Sequence, residues 1–189
     1  MQNAILSCQP IRNLKVEFQS VPSVSEGEIN RILMVCMGNI CRSPTAEAVA
    51  RAKAQAMGLT LELDSAGTIG YHAGESPDRR ARAAGERRGL DFSGIKARQV
   101  CARDFAHFDL ILAADRENLQ ALYEACPQIY KHKLALMLDF ADTPIREVPD
   151  PYYGGDSGFE QVLDLLELSI AGLFARIQAA RPRSIPPAR

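Results

Sequence analysis

Met34-Val35-Cys36-Met37-Gly38-Asn39-Ile40-Cys41-Arg42-Ser43-Pro44 joins two segments of opposite character. Residues 32–35 are a short run rich in branched apolar side chains, as a buried parallel strand requires, while residues 44–57 carry a helical signal with Pro at its first position and much Ala, Glu and Lys. Ser43 is then the expected N-cap. Between strand and helix the backbone must turn sharply, and Gly38 and Asn39 are the residue types that reach left-handed conformations at least cost. A turn of this kind aims several N–H groups inward. Continued by the positive end of the following helix, it forms a nest for a phosphate-sized anion. Cys36 sits at its floor, where the same N–H groups and the Arg42 guanidinium favour the thiolate. Arg42 adds a planar fork matched to two phosphoryl oxygens.

Outward from this segment, strand and helix signals alternate. Residues 61–64 read as a second strand and 65–75 as a glycine-containing loop. Ser76-Pro77 opens a helix that ends at Gly89. Residues 95–100 form an extended connector, 102–105 a helical turn, 110–113 a third strand and 134–138 a fourth, with Asp115 as the N-cap of the helix between these last two. A long, acidic, proline-containing loop over 139–158 leads into an amphipathic helix bearing Phe159, Val162, Leu165, Leu166, Ile170, Leu173 and Phe174. Such alternation predicts an α/β domain with a parallel sheet covered by helices on both faces through right-handed crossovers. In that architecture ligands bind beyond the carboxyl ends of the strands, where Cys36 to Arg42 falls.

The chain of 189 residues suits one domain. That domain is expected over 31–180, after an extension at 1–30 that lacks sustained periodicity and before a Pro-rich, basic, disordered tail at 181–189. A net charge of −1 gives no general reason to bind nucleic acid or an anionic membrane. No apolar run approaches the ~18 residues of a spanning helix. Cys8, Cys36, Cys41, Cys101 and Cys126 lack metal-ligand spacing, and His72, His107 and His132 are scattered, so no metal or other cofactor is expected. Reduced thiols in the cytoplasm fit best.

The Cys-x5-Arg-Ser-Pro segment resembles the phosphate-binding loop of the low-molecular-weight protein tyrosine phosphatases. Ser65-Ala66-Gly67-Thr68, Ser76-Pro77-Asp78, Ala97-Arg98-Gln99-Val100, Asp104 to Asp109 and Asp150-Pro151-Tyr152-Tyr153-Gly154 resemble that family's other motifs, in its order. The resemblance implies a flavodoxin-like sheet of strand order 2-1-3-4 and hydrolysis of phosphotyrosine in proteins through a cysteinyl-phosphate, by a monomer or weak dimer. Cys36 becomes the nucleophile, Arg42 the phosphate clamp and Asp150 the general acid and base. Met37, Gly38, Asn39, Ile40, Cys41 and Ser43 complete the loop, Asn39 locking it and Ser43 donating to the thiolate. Tyr71, Tyr152 and Tyr153 are expected to wall the substrate pocket. Arg88 stands where the family often has a histidine that supports the loop asparagine.

Asp150 suits its role on chemical grounds: it lies on the long loop on the cradle's side of the sheet, and one carboxyl can protonate a leaving phenolate and then activate water. Cys41 follows the nucleophile on a loop that curls back on itself. A neighbouring thiol can condense with an oxidised Cys36 and make the enzyme redox-regulated, and the resemblance implies the same pairing. Other readings are an arsenate reductase or protein-arginine phosphatase of the same fold, and a catalytically silent phosphotyrosine-binding module. Cys101 and Cys126 lack the close pairing of an arsenate reductase relay, and Met37 stands where an arginine phosphatase is expected to carry Thr.

Overall fold

Five apolar or small residues follow Arg31 to make β1 (Arg31–Cys36), and from Ile32 onward every one is buried. Burial on both faces places this strand inside the sheet. The computed structural model describes residues 29–152 and 155–181. Residues 1–28 of the extension expected over 1–30, Tyr153, Gly154, and residues 182–189 of the tail expected over 181–189 lie outside the described residues. Along the chain, β1 is followed by α1 (Arg42–Met57), β2 (Glu62–Gly67), α2 (Arg79–Arg87), α3 (Ala102–His107), β3 (Leu110–Ala113), α4 (Arg116–Ala125), β4 (Leu134–Leu136) and α5 (Asp156–Ala180). The sheet is parallel throughout with the order β2-β1-β3-β4, as expected.

Alternate side chains of β1 feed two cores. Ile32, Met34 and Cys36 join the layer built with α1 and α5, whereas Leu33 and Val35 join Phe105, Leu119 and Leu122 of α3 and α4 on the opposite face. This period of two, with no polar face, is why the sheet needs helices on both sides.

Several boundaries differ from the sequence reading. β2 runs on to Gly67 because β1 pairs with it as far as Cys36↔Gly67. A Cβ on Gly67 would lie 2.7 Å from the Met37 carbonyl oxygen and 2.8 Å from that of Ile69, so only glycine lets the strand approach so closely. Helix α1 starts at Arg42, and Ser43 is not its cap, because its hydroxyl is engaged elsewhere. Asp78, not Ser76, caps α2 by accepting from the Arg80 N–H; Ser76 instead accepts from Lys96. β4 stops at Leu136, where a 3-10 turn (Met137–Phe140) takes over, and α5 begins at Asp156 instead of Phe159. Asp115 caps α4 as read, accepting from the Asn118 N–H at 2.7 Å.

At the amino end of the sheet, Asp109 clamps β1 to β3. Its carboxylate accepts from the N–H groups of Asn30 and Arg31 at 3.0 and 2.9 Å and from the Arg31 guanidinium at 2.8 Å. Burial pushes the Asp109 pKa up, but the Arg31 side chain and these N–H groups outweigh it and hold the carboxyl below the usual carboxylate range. A folded-state pKa below the unfolded one means that the unfolded chain binds more protons, so the stabilisation is complete above ~3.9 and is lost as pH falls through the folded value. Asp109→Asn should therefore lower the melting temperature by a few degrees at pH 7 and by much less at pH 3. Thermal unfolding at both pH values checks this, and an equal loss at the two would remove the carboxylate's role.

Candidate active site

Cys36 is the last residue of β1, and the chain leaves the sheet there for α1. Four carbonyl groups from Cys36 to Cys41 are met by donors of the surrounding protein. Cys36 O accepts from Thr68 N at 2.9 Å, Met37 O from Ile69 N at 3.1 Å, and Ile40 O from Asp78 N at 2.7 Å. Cys41 O accepts from the Thr45 hydroxyl at 2.7 Å. With the carbonyls outward the N–H groups face the other way, and among the described residues none of the N–H groups from Met37 to Cys41 donates to another group. Among the described non-glycine residues Asn39 alone has positive φ, at 55°, and makes the turn. Gly38 does not need it; its missing side chain makes room for His72, whose ring would lie 3.0 Å from a Cβ.

Asn39 is fully buried and its amide is the loop's main support. Its Nδ2 donates to Ser43 Oγ and Ser65 Oγ, both at 2.9 Å, and its Oδ1 accepts from the Arg98 N–H at 2.9 Å. Ser65 passes the chain on, donating to the Glu47 carboxylate at 2.6 Å. Burial pushes the Glu47 pKa up, against the Ser65 hydrogen bond and the Arg51 guanidinium, which pull it down. At the other end, Ser43 Oγ lies 3.0 Å from Cys36 Sγ and 3.3 Å from the Ala66 carbonyl, between two acceptors once the thiol is ionised. Arg88 takes no part. It pairs with Glu160, Asp164 and Glu167 of α5, so the loop asparagine is supported by Ser65, Glu47 and the Arg98 backbone.

The Arg42 side chain is only 4% exposed. Its Nη1 donates to the Asp115 carboxylate and, at 3.3 Å, to the Val148 carbonyl; its Nη2 donates to Asp150 at 3.1 Å. Burial works against the charge, but Cys36, Asp115 and Asp150 around it raise its pKa overall. The sequence marks Asp115 only as a helix cap, yet it divides its carboxylate, with Oδ1 on α4 and Oδ2 on Arg42. Its place just beyond the carboxyl end of β3, the neighbour of β1, was the available signal.

Cys36, Arg42 and Asp150 line one cavity of about 310 Å³, together with Met37, Gly38, Ile40, Cys41 and Tyr152. Asp150 is half exposed, with Oδ1 held by the Tyr152 N–H at 3.0 Å. Tyr71 does not line the cavity. It is 82% exposed and packs edge-on against His72, and the wall expected of it is made by Ile69 and His72. Cys101 and Cys126 do not line it either.

The sequence pattern of the low molecular weight phosphotyrosine protein phosphatases matches residues 31–183. The chain belongs to that family. It is 42% identical over 156 residues to a low molecular weight protein-tyrosine-phosphatase of Streptomyces coelicolor, covering 78% of this chain and 93% of the relative. The human low molecular weight phosphotyrosine protein phosphatase is 41% identical over 143 residues, covering 74% and 90%. Among solved structures, a protein tyrosine phosphatase from Entamoeba histolytica superposes with a TM-score of 0.77 at 44% identity, covering 79% of this chain and 97% of that one.

In this member of the family, Asn39→Ala removes both donors and the acceptor of the supporting amide and places a side chain less suited to positive φ. Each buried group left unpaired costs about 1–3 kcal/mol. Urea denaturation should show a loss of about 2–4 kcal/mol with an unchanged slope, whereas a loss below 1 kcal/mol would mean that the loop holds itself.

Proposed function

We propose that this protein hydrolyses phosphotyrosine in proteins, with Cys36 as nucleophile, Arg42 as phosphate clamp and Asp150 as general acid and base. The observation that carries the reading is the single cavity shared by these three side chains, over a loop whose N–H groups are turned away from the protein. The Cys36 thiolate attacks phosphorus as the bond to the aryl oxygen breaks, and that oxygen takes the Asp150 proton. Water then attacks the cysteinyl-phosphate, gives its proton to the Asp150 carboxylate, and leaves inorganic phosphate and the thiolate.

Three features support these roles. Asp115 and the Val148 carbonyl fix one edge of the Arg42 fork, so its Nη2 edge is presented to the cavity without further ordering. A phosphoryl oxygen docking on Nη2 takes the place held by Asp150, which leaves that carboxyl beside the leaving group. Ser43 stands ready to donate to the thiolate, both in the ground state and when it departs from phosphorus. Met37, Gly38, Ile40 and Cys41 form the loop's inner surface, Tyr152 a wall for the aryl ring, and Tyr153 a second wall by the family resemblance.

An arsenate reductase would relay oxidation from the nucleophile to further cysteines, and neither Cys101 nor Cys126 is at the cavity. Met37 lines it in place of a Thr, which disfavours an arginine phosphatase. A silent binding module would have no use for Asp150 beside Arg42. Among the described residues the four cysteines are free thiols, which suits a cytoplasmic protein, and no helix is long and apolar enough to cross a membrane.

Cys41 is proposed as the redox partner of Cys36. Both are buried and both line the cavity. Burial first, and then Asp78, Cys36 and Asp150, push the Cys41 thiol up to about 12, so at neutral pH it keeps its proton. Peroxide oxidises Cys36 to the sulfenic acid; condensation with the Cys41 thiol forms the S–S bond and releases water.

Cys36→Ser should abolish turnover of a chromogenic aryl phosphate while phosphate still protects the protein from heat. Asp150→Ala should slow poor leaving groups by ~10²–10⁴ and good ones much less. Residual turnover above a few per cent in the first, or equal losses in the second, would overturn the respective role. For Cys41, peroxide followed by a thiol reductant should restore wild type much more fully than Cys41→Ser. Equal recovery, or a peptide map without a Cys36 to Cys41 bridge, would leave Cys41 as packing.

A further inference from the structure

Helix α2 reads Arg-Arg-Ala-Arg-Ala-Ala-Gly-Glu-Arg, with Arg88 directly after it, and is the most basic stretch among the described residues. Its charges are not equally compensated. At the carboxyl end Arg87 and Arg88 face Glu160, Asp164 and Glu167 of α5. At the amino end the only acidic partner among the described residues is Asp78, whose carboxylate already caps the helix and pairs with Arg80. Arg79 is exposed and makes no hydrogen bond or ion pair among the described residues.

One side of the helix, along its whole length, opens on a second cavity, of about 360 Å³, lined by Arg79, Arg80, Ala83, Ala84, Arg87 and Phe159. Its lining residue Arg80 touches Tyr152, which lines the first. The Arg80 guanidinium stands 4.9 Å from the centre of the Phe159 ring and 5.4 Å from that of Tyr152, and its Nη1 donates to the Tyr152 carbonyl at 3.1 Å. Tyr152 in turn lines the cavity of Cys36 and Arg42. A chain held at Tyr152 and advancing about 3.3 Å per residue reaches the arginines within a few positions.

We propose that the cavity between α2 and Phe159 is a subsite for acidic residues flanking the phosphotyrosine of a protein substrate. The inference rests on the phosphatase reading above and names the class of sequence it favours. Charge complementarity identifies the occupant: Arg79 offers a free fork for a carboxylate, Arg87 shares its charge with a single exposed Glu160, and Phe159 supplies an apolar floor for the aliphatic part of an Asp or Glu side chain. Rim charges of this kind act on encounter more than on the bound state, so the preference belongs in kcat/KM and weakens with salt. Arg80 holds the Tyr152 backbone, which makes Arg79 and Arg87 the positions that separate recognition from chemistry.

The test compares wild type with Arg79→Glu/Arg87→Glu and with Arg79→Ala on four substrates: p-nitrophenyl phosphate and phosphotyrosine peptides with neutral flanks, with three acidic residues before the phosphotyrosine, or with three after it. Wild type should favour one acidic peptide over the neutral one by about tenfold in kcat/KM at low salt, and by less at 0.5 M salt. The double variant should reduce that preference to within twofold and the single variant should fall between, while p-nitrophenyl phosphate is turned over as in wild type. Equal rates on acidic and neutral peptides in wild type, or a preference that survives in the double variant, would overturn the subsite and leave the phosphatase reading intact. Absence of turnover on all four substrates would overturn that reading and the subsite with it.

Discussion

A peptide unit carries its N–H and C=O on opposite sides, so a loop that turns successive N–H groups toward one point must turn its carbonyls away and find donors for them outside. Much of the structure around Cys36 follows from this requirement. Thr68 and Ile69 donate from the continuation of β2, Asp78 from the residue that caps α2, and Thr45 from the first turn of α1. The strand therefore has to come close enough to the loop for Gly67 to be its only tolerable residue there, and α2 has to begin beside Ile40. Asn39 then ties the turn to β2 and to the connector at Arg98 in one side chain.

The charges are arranged in separate groups around that frame. Arg42 is buried and would be unfavourable alone, but it faces Asp115 and Asp150, and its orientation is set by contacts from two different loops. Arg98 pairs with Asp64 and Asp104 behind the loop, fixing the segment whose backbone holds Asn39. Arg88 pairs entirely with α5. Arg88 thus leaves the loop after β1 untouched, because the buried Glu47 and Ser65 already terminate the hydrogen-bond chain.

The number of layers and the place of the cradle were legible because they depend on short-range patterns: apolar runs of strand length, glycine past helix ends, and a Cys-x5-Arg spacing that only a tight turn can use; the strand order was legible only through the family resemblance. What was not legible depends on distant partners. Ser43 has the composition of a cap, but Cys36, Asn39 and Ala66 claim its hydroxyl. Ser76-Pro77 has the form of a helix start, yet Asp78 takes the capping role once its N–H is committed to Ile40. Tyr71 has the aromatic character of a pocket wall, but the loop over 65–75 turns His72 and Ile69 inward and leaves Tyr71 to solvent. Asp115 was recognised for its local bond and missed for its long-range one, since nothing within the neighbouring sequence points to Arg42.

The cradle's donors belong to the main chain, and this bears on how the site can change over time. A tetrahedral oxyanion inhibitor that binds through those N–H groups meets the same donors whatever side chains Met37, Ile40 or Cys41 carry. Resistance by substitution is therefore closed off at the loop itself, because a change severe enough to turn an N–H away also breaks the outward carbonyl bonds that hold β2, α1 and α2 in place. Diversification is left to the walls, where Ile69, His72 and Tyr152 are attached to segments that do not form the turn.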